Sequence, residues 1–495
     1  MTFKIHIKGN VTILLTLSLT IIIGVIFTIL EAARLTVLKT YYTDVSYLST
    51  DSLFGDYCYE LFEEYGIFAL NTSDVDIETS LSDYAKDNIY HTSPVDIFNT
   101  NYNLLTGTLE ELSVNNYIYL TDEDGSIFSD QILKYMKYKE LSEITDIISN
   151  IYNTDSFNTY DFSADNSDIN SFDLSALDTP VIEDRRECLE IDTKEAKFYT
   201  EDLSEYISHT IKNNLLLILV DDTSTISTTE IDKLILPSMT TTLSDEATVI
   251  NEGYVKSSDF LSPEKIMFEE YISSSFNCYT NNNSSSLLRY ELEYIINGSS
   301  KDDENLLNTA IKLIFMRASL NAAYIISDSS KRTAANDLAT MATGGVPIAT
   351  KFTEFMIISS WATAEGVIDV KDLLSGKKVP LIKDDNTWTL SLDGICNLSK
   401  NTISSNSGKE GFDYAFYLKL LLTAQSELAL RFRTMDLIQM NICLNYNSSF
   451  RMSNCVCGLT TNFIYKAKTV FLNFTDFIGS YDYAQIDVST TYKYD

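Results

Sequence analysis

An uncharged run near the start of the chain, residues 11–30, is the feature that most constrains the fold. At about 1.5 Å of rise per residue, this run forms a helix roughly 30 Å long, which matches the hydrocarbon core of a bilayer. A helix satisfies its own backbone hydrogen bonds, as a lipid environment requires. Residues 11–30 therefore predict a transmembrane helix with membrane lipid as its partner.

Flanking charge sets the expected orientation of this helix. Lys4 and Lys8 precede it, whereas no acidic residue does, and cytoplasmic flanks favour Lys and Arg. We therefore expect residues 1–10 in the cytoplasm and the large C-terminal part outside the cell membrane. The alternative is a cleaved signal peptide, whose apolar core would normally be about 7 to 15 residues long and end at a small-x-small site.

The chain as a whole is strongly acidic. Among its 495 residues, 70 are Asp or Glu and 36 are Lys or Arg, which gives a formal net charge of −34. A surface of this kind repels nucleic acid and anionic lipid, so a nucleic-acid partner is not expected. Cys443, Cys455 and Cys457 are the only cysteine cluster, and either one disulfide from Cys443 or ordinary thiols would account for it.

Apolar residues continue at helical spacing beyond the span, which predicts a single helix that extends through residues 31–66 and ends at Gly66. Residues 67–260 are a mixed region with an acidic loop or insertion near 140–184, where Lys and Arg are absent. Residues 261–495 predict a helical core followed by C-terminal antiparallel strands. The fold class is therefore α+β, mostly helical, with a small antiparallel sheet.

Local signals place the elements of this core. Ser262 and Pro263 are a typical helix start, and Gly298 is a typical helix end. Residues 411–442 have the pattern of one amphipathic helix, and residues 379–392 that of two strands around a turn. The alternation of residues 463–494 predicts an antiparallel strand pair.

Catalytic motifs do not stand out. HExxH, GxSxG, P-loop and GxGxxG patterns are absent from the sequence, and we predict no catalytic residue, cofactor or metal site. Glu365 and Asp369 lie one helical turn apart and could form an acid–base pair. Acids at this spacing more often face solvent or pair with a base, for which Lys371 and Arg317 are available.

Two further charged groups bear on assembly rather than on catalysis. Arg431, Arg433 and Asp436 have the pattern of helix-surface or inter-helix ion pairs. Glu31 and Arg34, beside the outer membrane face, are spaced to pair with each other within the helix. Alternatively, they could meet complementary charges on neighbouring spans, and we predict them as possible assembly determinants.

Several sequence strings resemble a known group of proteins. They include KGNVTILLTLSL (8–19), LEAAR (30–34), DSLFGDYCYELFEEYGIFAL (51–70), LEYIINGSSKDDENL (292–306), WATAEGVIDVKDLLSGKKVPLIK (361–383), FDYAFYLKLLL and RFRTMDLIQMNI. Together they resemble an uncharacterised family of single-span Gram-positive bacterial proteins associated with tight-adherence pilus loci. That family is similar to TadE/TadG-type minor pseudopilins, so the resemblance implies partners among pilus or secretion-system proteins.

The sequence departs from the prepilin pattern at one place. Prepilins are cleaved after a Gly, and Glu is the fifth residue of the mature helix. The fifth residue after Gly9 is Leu14, and Glu31 lies at the far end of the span. A retained anchor or minor assembly component therefore fits the sequence better than a fibre subunit.

The leading hypothesis is a non-enzymatic, single-pass surface protein that serves as a minor component or accessory of a tight-adherence-like pilus or secretion system. The alternative is a surface-anchored hydrolase acting on cell-wall or glycan polymers, which predicts a concave pocket with two close carboxylates. A sensor is a weaker third hypothesis because about ten cytoplasmic residues are too few for a signalling output.

Overall fold

The computed structural model describes residues 8–72, 76–90, 95–97, 100–102, 104–105, 107–138, 215–231, 262–282, 286–392, 411–471 and 483–494. These residues form two compact units, one from Met1–Gln131 with Tyr446–Asp495 and the other from Ile132–Asn445. The fold class is α+β and mostly helical, as predicted. The predicted acidic loop near 140–184 and the histidines His6, His91 and His209 lie outside the described residues.

The first helix, α1 (Lys8–Phe54), begins the first unit and runs without a break through the apolar segment. The most apolar part of α1 has no buried residue and is long enough to cross a membrane. The rest of α1 packs on the sheet and on α3 (Ile77–Tyr90), which buries residues such as Leu38, Tyr42 and Leu53. The same helix therefore has an exposed apolar surface in its first part and contributes to the hydrophobic core of its unit in its second part.

The predicted single helix through residue 66 is wrong in one respect, because α1 ends at Phe54 and a separate helix, α2 (Tyr59–Tyr65), follows. The break turns the chain after Phe54, whose ring stacks on Tyr492 with centroids 4.1 Å apart. Gly66 ends α2 as predicted. Its φ of 70° is left-handed, and its N–H caps the carbonyls of Leu61 and Phe62.

An antiparallel sheet forms the other half of this unit. Its central strand β5 (Cys455–Lys468) pairs with β4 (Thr108–Tyr119), with β6 (Tyr483–Lys493) and with the short β1 (Leu70–Asn71). A separate hairpin joins β2 (Val95–Ile97) and β3 (Thr100–Tyr102), and α4 (Asp122–Tyr138) follows β4. The C-terminal strand pair was predicted, whereas β4 was not.

The sheet and α1 meet through aromatic rings and hydroxyl groups. Tyr42 stacks on Tyr465 with ring centroids 4.4 Å apart, and the Ser46 hydroxyl lies 2.9 Å from the Tyr465 hydroxyl. One turn further along, Thr50 Oγ1 lies 3.1 Å from Thr490 Oγ1. Because these polar groups are buried, their mutual hydrogen bonds are needed to offset the loss of water. The second half of α1 is therefore part of the fold, as well as a continuation of the apolar segment.

The second unit is a helical bundle. Its helices are α5 (Pro263–Ser275), α6 (Glu291–Asn297), α7 (Asp302–Ser327), α8 (Ser329–Thr343), α9 (Pro347–Leu374), α10 (Tyr414–Thr423) and α11 (Glu427–Asn445). The helix α7 packs along α9, and α8 folds back on α9 as an antiparallel hairpin. By length and composition α7 would also suit a membrane, but part of its surface is buried in this bundle.

Capping residues explain where several of these helices begin and end. The Ser262 hydroxyl accepts a hydrogen bond from the Lys265 amide at 3.1 Å, and Pro263 occupies the first helical position. Gly298 ends α6 with a φ of 75°, and Gly344 ends α8 with a φ of 61°. The start at Ser262 and the end at Gly298 agree with the sequence signals.

Two predictions in the second unit are wrong. The predicted helix over residues 411–442 is divided into α10 and α11, because the chain turns at residues 424–426. Residues 379–392 form no strand pair, although the predicted turn is present, with the Asp384 carboxylate accepting hydrogen bonds from the amides of Asn386 and Thr387. This segment is held by side-chain contacts instead of by a strand ladder.

Candidate functional site

The predicted assembly residues Glu31 and Arg34 lie where the part of α1 without buried residues gives way to the packed part. Both side chains are buried, and Arg34 Nη1 donates to Glu31 Oε1 at 2.7 Å. Arg34 also donates to the carbonyls of Leu104 and Lys468 at 2.7 and 2.9 Å, while Glu31 Oε2 accepts from the Phe471 amide at 2.9 Å. The pair therefore ties α1 to two loops of its own unit.

This geometry corresponds to the within-helix pairing. A buried ion pair is stable only when hydrogen bonds satisfy its remaining polar atoms, and removal of one partner is strongly destabilising. Since Glu31 and Arg34 are both engaged inside their own unit, contact with a neighbouring span would require this network to rearrange. A direct role in assembly remains a prediction.

The candidate acid–base pair, Glu365 and Asp369, lies on the inner face of α9. Glu365 is 0% exposed and Asp369 is 2% exposed, so the solvated-face interpretation is wrong. Lys383, which is also buried, is placed between the two carboxylates: it binds Glu365 and lies 2.6 Å from Asp369. We call these residues, together with Arg317, the buried ion network.

Arg317 of α7 completes the network on the Asp369 side. Its Nε donates to Asp369 Oδ2 at 2.9 Å, and the Asn321 amide donates to the same oxygen at 3.0 Å. Arg317 Nη1 reaches the Leu381 carbonyl at 2.8 Å and the Tyr417 hydroxyl at 3.2 Å. Burial and the nearby Asp369 charge are among the causes that raise the pKa of Tyr417 to about 12.

Backbone amides satisfy the Glu365 side of the network. The amides of Thr389 and Leu390 each donate to the Glu365 carboxylate at 2.8 Å. The Lys383 ammonium lies 5.6 Å from the ring centroid of Trp388, within cation–π range. The network thus fastens residues 381–390 to α7 and α9, in place of the strands that were predicted there.

This arrangement is not suited to acid–base chemistry in the form observed. To act on a polymer, Glu365 and Asp369 would have to leave Lys383 and become accessible, and both are buried. Of the two bases suggested by the sequence, Arg317 does pair with Asp369, whereas Lys371 lies 3.6 Å from Asp221. Lys383 was missed because its segment reads as a strand and turn.

Arg431, Arg433 and Asp436, all on α11, separate into two environments. Arg431 pairs with Glu427 of the same helix at 2.8 Å, as a helix-surface pair. Arg433 and Asp436 are buried: Arg433 Nη1 donates to the Ile295 carbonyl at 2.8 Å near the end of α6, and Asp436 accepts from a tyrosine hydroxyl. The Arg433 contact places a cation at a helix C-terminus, which favours it.

Several buried carboxyl groups in the same unit have raised pKa values. Burial raises the pKa of Glu269, Glu293 and Asp436 to about 7 in each case, because it disfavours the charged form. Glu293 accepts hydrogen bonds from the Tyr279 amide at 2.9 Å and from the Tyr414 hydroxyl at 2.8 Å, which oppose this rise. Burial therefore makes these groups harder to ionise than an ordinary carboxyl group.

A cleft of about 300 Å³ opens on the second unit. Its lining residues are mostly polar or aromatic and include no carboxylate: Thr225, Tyr279, Thr280, Asn282, Tyr290, Leu374, Ser375 and Gly376. The pocket with two close carboxylates that a glycan hydrolase would need is therefore not this cleft. Within the described ranges, no group of three His, Cys, Asp or Glu residues is arranged to hold a metal ion.

The end of the α8–α9 hairpin exposes an apolar surface that was not predicted from the sequence. We call residues 338–356 the hairpin tip. Ile348 is 85% exposed, Met341 75% and Val346 57%. The signal that could have revealed it is charge: Lys351 and Glu354 are the only charged residues in this stretch of a strongly acidic chain. Exposed apolar patches of this kind mark interaction surfaces.

Comparison with known proteins identifies a family but no activity. Residues 193–467 match a family of unknown function, DUF5702, and the match covers more than half of the chain. In the second unit, the match includes all described residues from 215 onward. In the first unit, it includes most of β5. No curated protein and no solved structure matches the chain. The chain therefore belongs to the DUF5702 family, whose function is unknown.

Proposed function

We propose that this protein is a single-pass surface protein, retained in the cell membrane by residues 11–30, with its N-terminus in the cytoplasm and its folded part outside. It serves, without enzymatic activity, as a minor component or accessory of a tight-adherence-like pilus or secretion system in a Gram-positive bacterium. Its partners are membrane lipid and other proteins of that system.

The observation that carries this proposal is the continuity of α1. The same helix that exposes an apolar surface over residues 11–30 packs its outer half against the sheet of its own unit. The buried Glu31–Arg34 pair reinforces the junction. A folded body joined to its span in this way has little freedom to swivel, which suits a protein that must hold a fixed position in a membrane assembly.

The outer half of α1 also retains a surface for partners. Val37, Thr40, Asp44 and Tyr47 are exposed and recur at intervals of three and four residues, on the side away from the buried Leu38. Residues at this spacing form one stripe of a helix. The stripe supports lateral packing against another helix, the kind of contact that a pseudopilin-like assembly would use.

The resemblance to TadE/TadG-type minor pseudopilins is the basis for naming the system. Its strings cover both the α1 region and the second unit, including WATAEGVIDVKDLLSGKKVPLIK over 361–383. That string contains Glu365, Asp369 and Lys383 of the buried ion network. The resemblance therefore includes residues that stabilise the fold, which supports common ancestry better than a shared reaction.

Site-specific photocrosslinking tests the proposal. A benzoylphenylalanine at Tyr47 on the exposed stripe should give, in illuminated cells, an adduct with a pilus or secretion-system protein identifiable by mass spectrometry. Tyr483, which is also exposed but lies on β6, provides a matched position on a different surface of the same unit. A strain without the pilus genes is the control and should lose the adduct. Adducts that persist in that strain, or no adduct from Tyr47, would contradict the proposed role.

A further inference from the structure

We propose that the hairpin tip, residues 338–356, inserts into the interfacial region of a phospholipid bilayer. This goes beyond the proposed function, which assigns only residues 11–30 to lipid. It rests on the proposed anchoring only because the span keeps the chain at a bilayer. The proposal follows from which side chains the hairpin exposes and which it buries.

The hairpin tip is inside-out in comparison with a helix hairpin of a water-soluble domain. Apart from Lys351, the exposed positions in the first turns of α9 are apolar and include Ile348, Phe352, Phe355 and Met356. The buried positions between them are polar: Thr350 is 8% exposed and Glu354 is 5% exposed. A helix that faces water shows the opposite distribution, with its apolar stripe inside.

Polar contacts and small side chains hold the interior of the tip. Thr343 Oγ1 and Thr350 Oγ1 lie 2.7 Å apart across the turn, and Glu354 lies 2.7 Å from Lys351 Nζ. On α8, Ala339 of the tip is fully buried, as is Ala335 one turn before it, which belongs to the neighbouring apolar cluster. Small residues and interhelical hydrogen bonds are the devices that join helices in lipid, where apolar burial between helices supplies no driving force.

The second half of α9 has the ordinary arrangement, so the inversion is local. Ile358, Trp361 and Ile368 are buried, and Ile358 and Trp361 belong to an apolar cluster that also contains Ile325 of α7. The change occurs within one continuous helix. Water around the whole of α9 would not explain why apolar side chains are exposed in its first half and buried in its second half. Lipid around the tip would explain this difference.

The charges of the tip fit a bilayer surface. Its only carboxylate, Glu354, is buried and lies 2.7 Å from Lys351 Nζ and 3.9 Å from Arg332 Nε. The Lys351 side chain is 70% exposed and can reach the phosphate groups while its stem stays among apolar side chains. The acidic surface expected from a net charge of −34 would be repelled by anionic lipid, whereas the two charges of the tip, Lys351 and Glu354, sum to zero, so the tip can approach it.

Tryptophan quenching in proteoliposomes tests the proposal on the full chain. Ile348→Trp places the probe at the tip, and Thr333→Trp places a control probe at an exposed position nearer the base of α8. Each variant is reconstituted in vesicles of phosphatidylcholine and phosphatidylglycerol, with or without brominated lipid. Acrylamide reports access from water, and the unsubstituted chain provides the background from Trp361 and Trp388.

We expect brominated lipid to reduce the added fluorescence of Ile348→Trp at least twofold while leaving that of Thr333→Trp nearly unchanged. Acrylamide should quench the two probes in the reverse order. Strong acrylamide quenching of Ile348→Trp would place the tip in water, and protection from both quenchers would place it against protein. Either result overturns the proposal.

Flotation of the same vesicles distinguishes failure of the inference about the tip from failure of the proposed anchoring by residues 11–30. If the chain does not float with vesicles after alkaline washing, the proposed retention by residues 11–30 fails. If it floats and Ile348→Trp is not quenched by brominated lipid, only the inference about the tip fails. Equal thermal unfolding of the two variants shows that the substitutions leave the fold intact.

Discussion

At the scale of single residues, the second unit places several charges in its interior and gives most of them partners. Lys383 has two carboxylates, Arg317 has a carboxylate, a carbonyl and a hydroxyl, and Glu365 has two backbone amides. Removal of one partner from such a group leaves the other charge buried and unsatisfied, which is far more harmful than loss of a surface ion pair. The consequences can be measured one residue at a time.

Lys383→Met tests the buried ion network. The substitution retains most of the side-chain volume but leaves Glu365 and Asp369 without their shared cation. We expect the free energy of unfolding to fall by about 3–5 kcal/mol. Denaturant unfolding in detergent measures the change. Lys378→Met, at an exposed position five residues earlier, is the control and should change it by less than about 0.5 kcal/mol. Similar effects from both variants would contradict the role given to Lys383.

Glu293→Gln tests the titration of a buried carboxyl group. Because burial raises the pKa of Glu293 to about 7, above its ordinary value of 4.5, the folded state binds its proton more tightly than the unfolded state does. The stability that this group contributes is complete below pH 4.5 and is lost as the pH rises through 7. Glutamine keeps an acceptor for Tyr279 and Tyr414 and cannot ionise.

The melting temperature of Glu293→Gln, relative to that of the unsubstituted chain, should therefore rise as the pH increases from 5 to 8. Asp337→Asn, at an exposed position on α8, serves as the matched control and should follow the unsubstituted chain. Parallel pH profiles for Glu293→Gln and the unsubstituted chain would show that Glu293 does not titrate in this range.

At the scale of elements, helix ends and junctions decide how the units are built. Gly298 at the end of α6 and Gly344 at the end of α8 both have left-handed φ values. Their surroundings differ, however: a Cβ at Gly298 would approach Arg433 Nε to 2.8 Å, whereas a Cβ at Gly344 would meet no atom within 4 Å. The two positions separate backbone strain from steric overlap.

We expect Gly344→Ala to lower the free energy of unfolding by about 1 kcal/mol, from the left-handed backbone alone. Gly298→Ala should lower it by about 2–4 kcal/mol, because the buried Arg433 guanidinium must also move and its contact with the Ile295 carbonyl is disturbed. Denaturant unfolding of both variants provides the comparison. An equal loss at the two sites would mean that Arg433 can move aside freely.

The junction between the apolar segment and the sheet is the second test at this scale. Glu31→Leu removes the acceptor of the Phe471 amide and leaves the Arg34 guanidinium buried without its carboxylate. Hydrogen exchange in peptides that cover residues 468–471 should become at least tenfold faster. Lys39→Leu, at an exposed position of the same helix, should leave that exchange unchanged. Unchanged exchange in Glu31→Leu would show that the pair does not hold the loop.

At the scale of the whole molecule, the central expectation concerns residues 11–30. The mature chain should retain them, resist extraction from membranes at alkaline pH, and be digested by protease added outside cells. Lys4→Glu with Lys8→Glu should lower the fraction of correctly oriented chains, because the orientation depends on the basic cytoplasmic flank. A mature chain that begins after Leu30 and is found free in the medium would identify the segment as a signal peptide.

The division of the chain into two units depends on strand pairing between distant residues, which the local sequence pattern does not reveal. The local sequence pattern predicts that the C-terminal strands belong with the helical core at residues 261–495, whereas the structure divides the chain differently and joins residues 446–495 to the N-terminal region. The reason is the central strand β5, which pairs with β4 although more than 300 residues separate them. The pattern of β4 alone, between mixed polar segments, did not indicate a partner so distant.

Local features of the sequence were enough to determine the apolar length of α1, the capping residues Ser262, Gly66 and Gly298, and the alternating β6, because each depends on residues within a few turns. The fractional exposure of Glu365, the choice of Lys383 as its partner and the outward apolar face at Ile348 were decided only by the tertiary structure. An amphipathic pattern shows that a helix has two faces. Which face is covered, and by what, depends on segments far away in the chain.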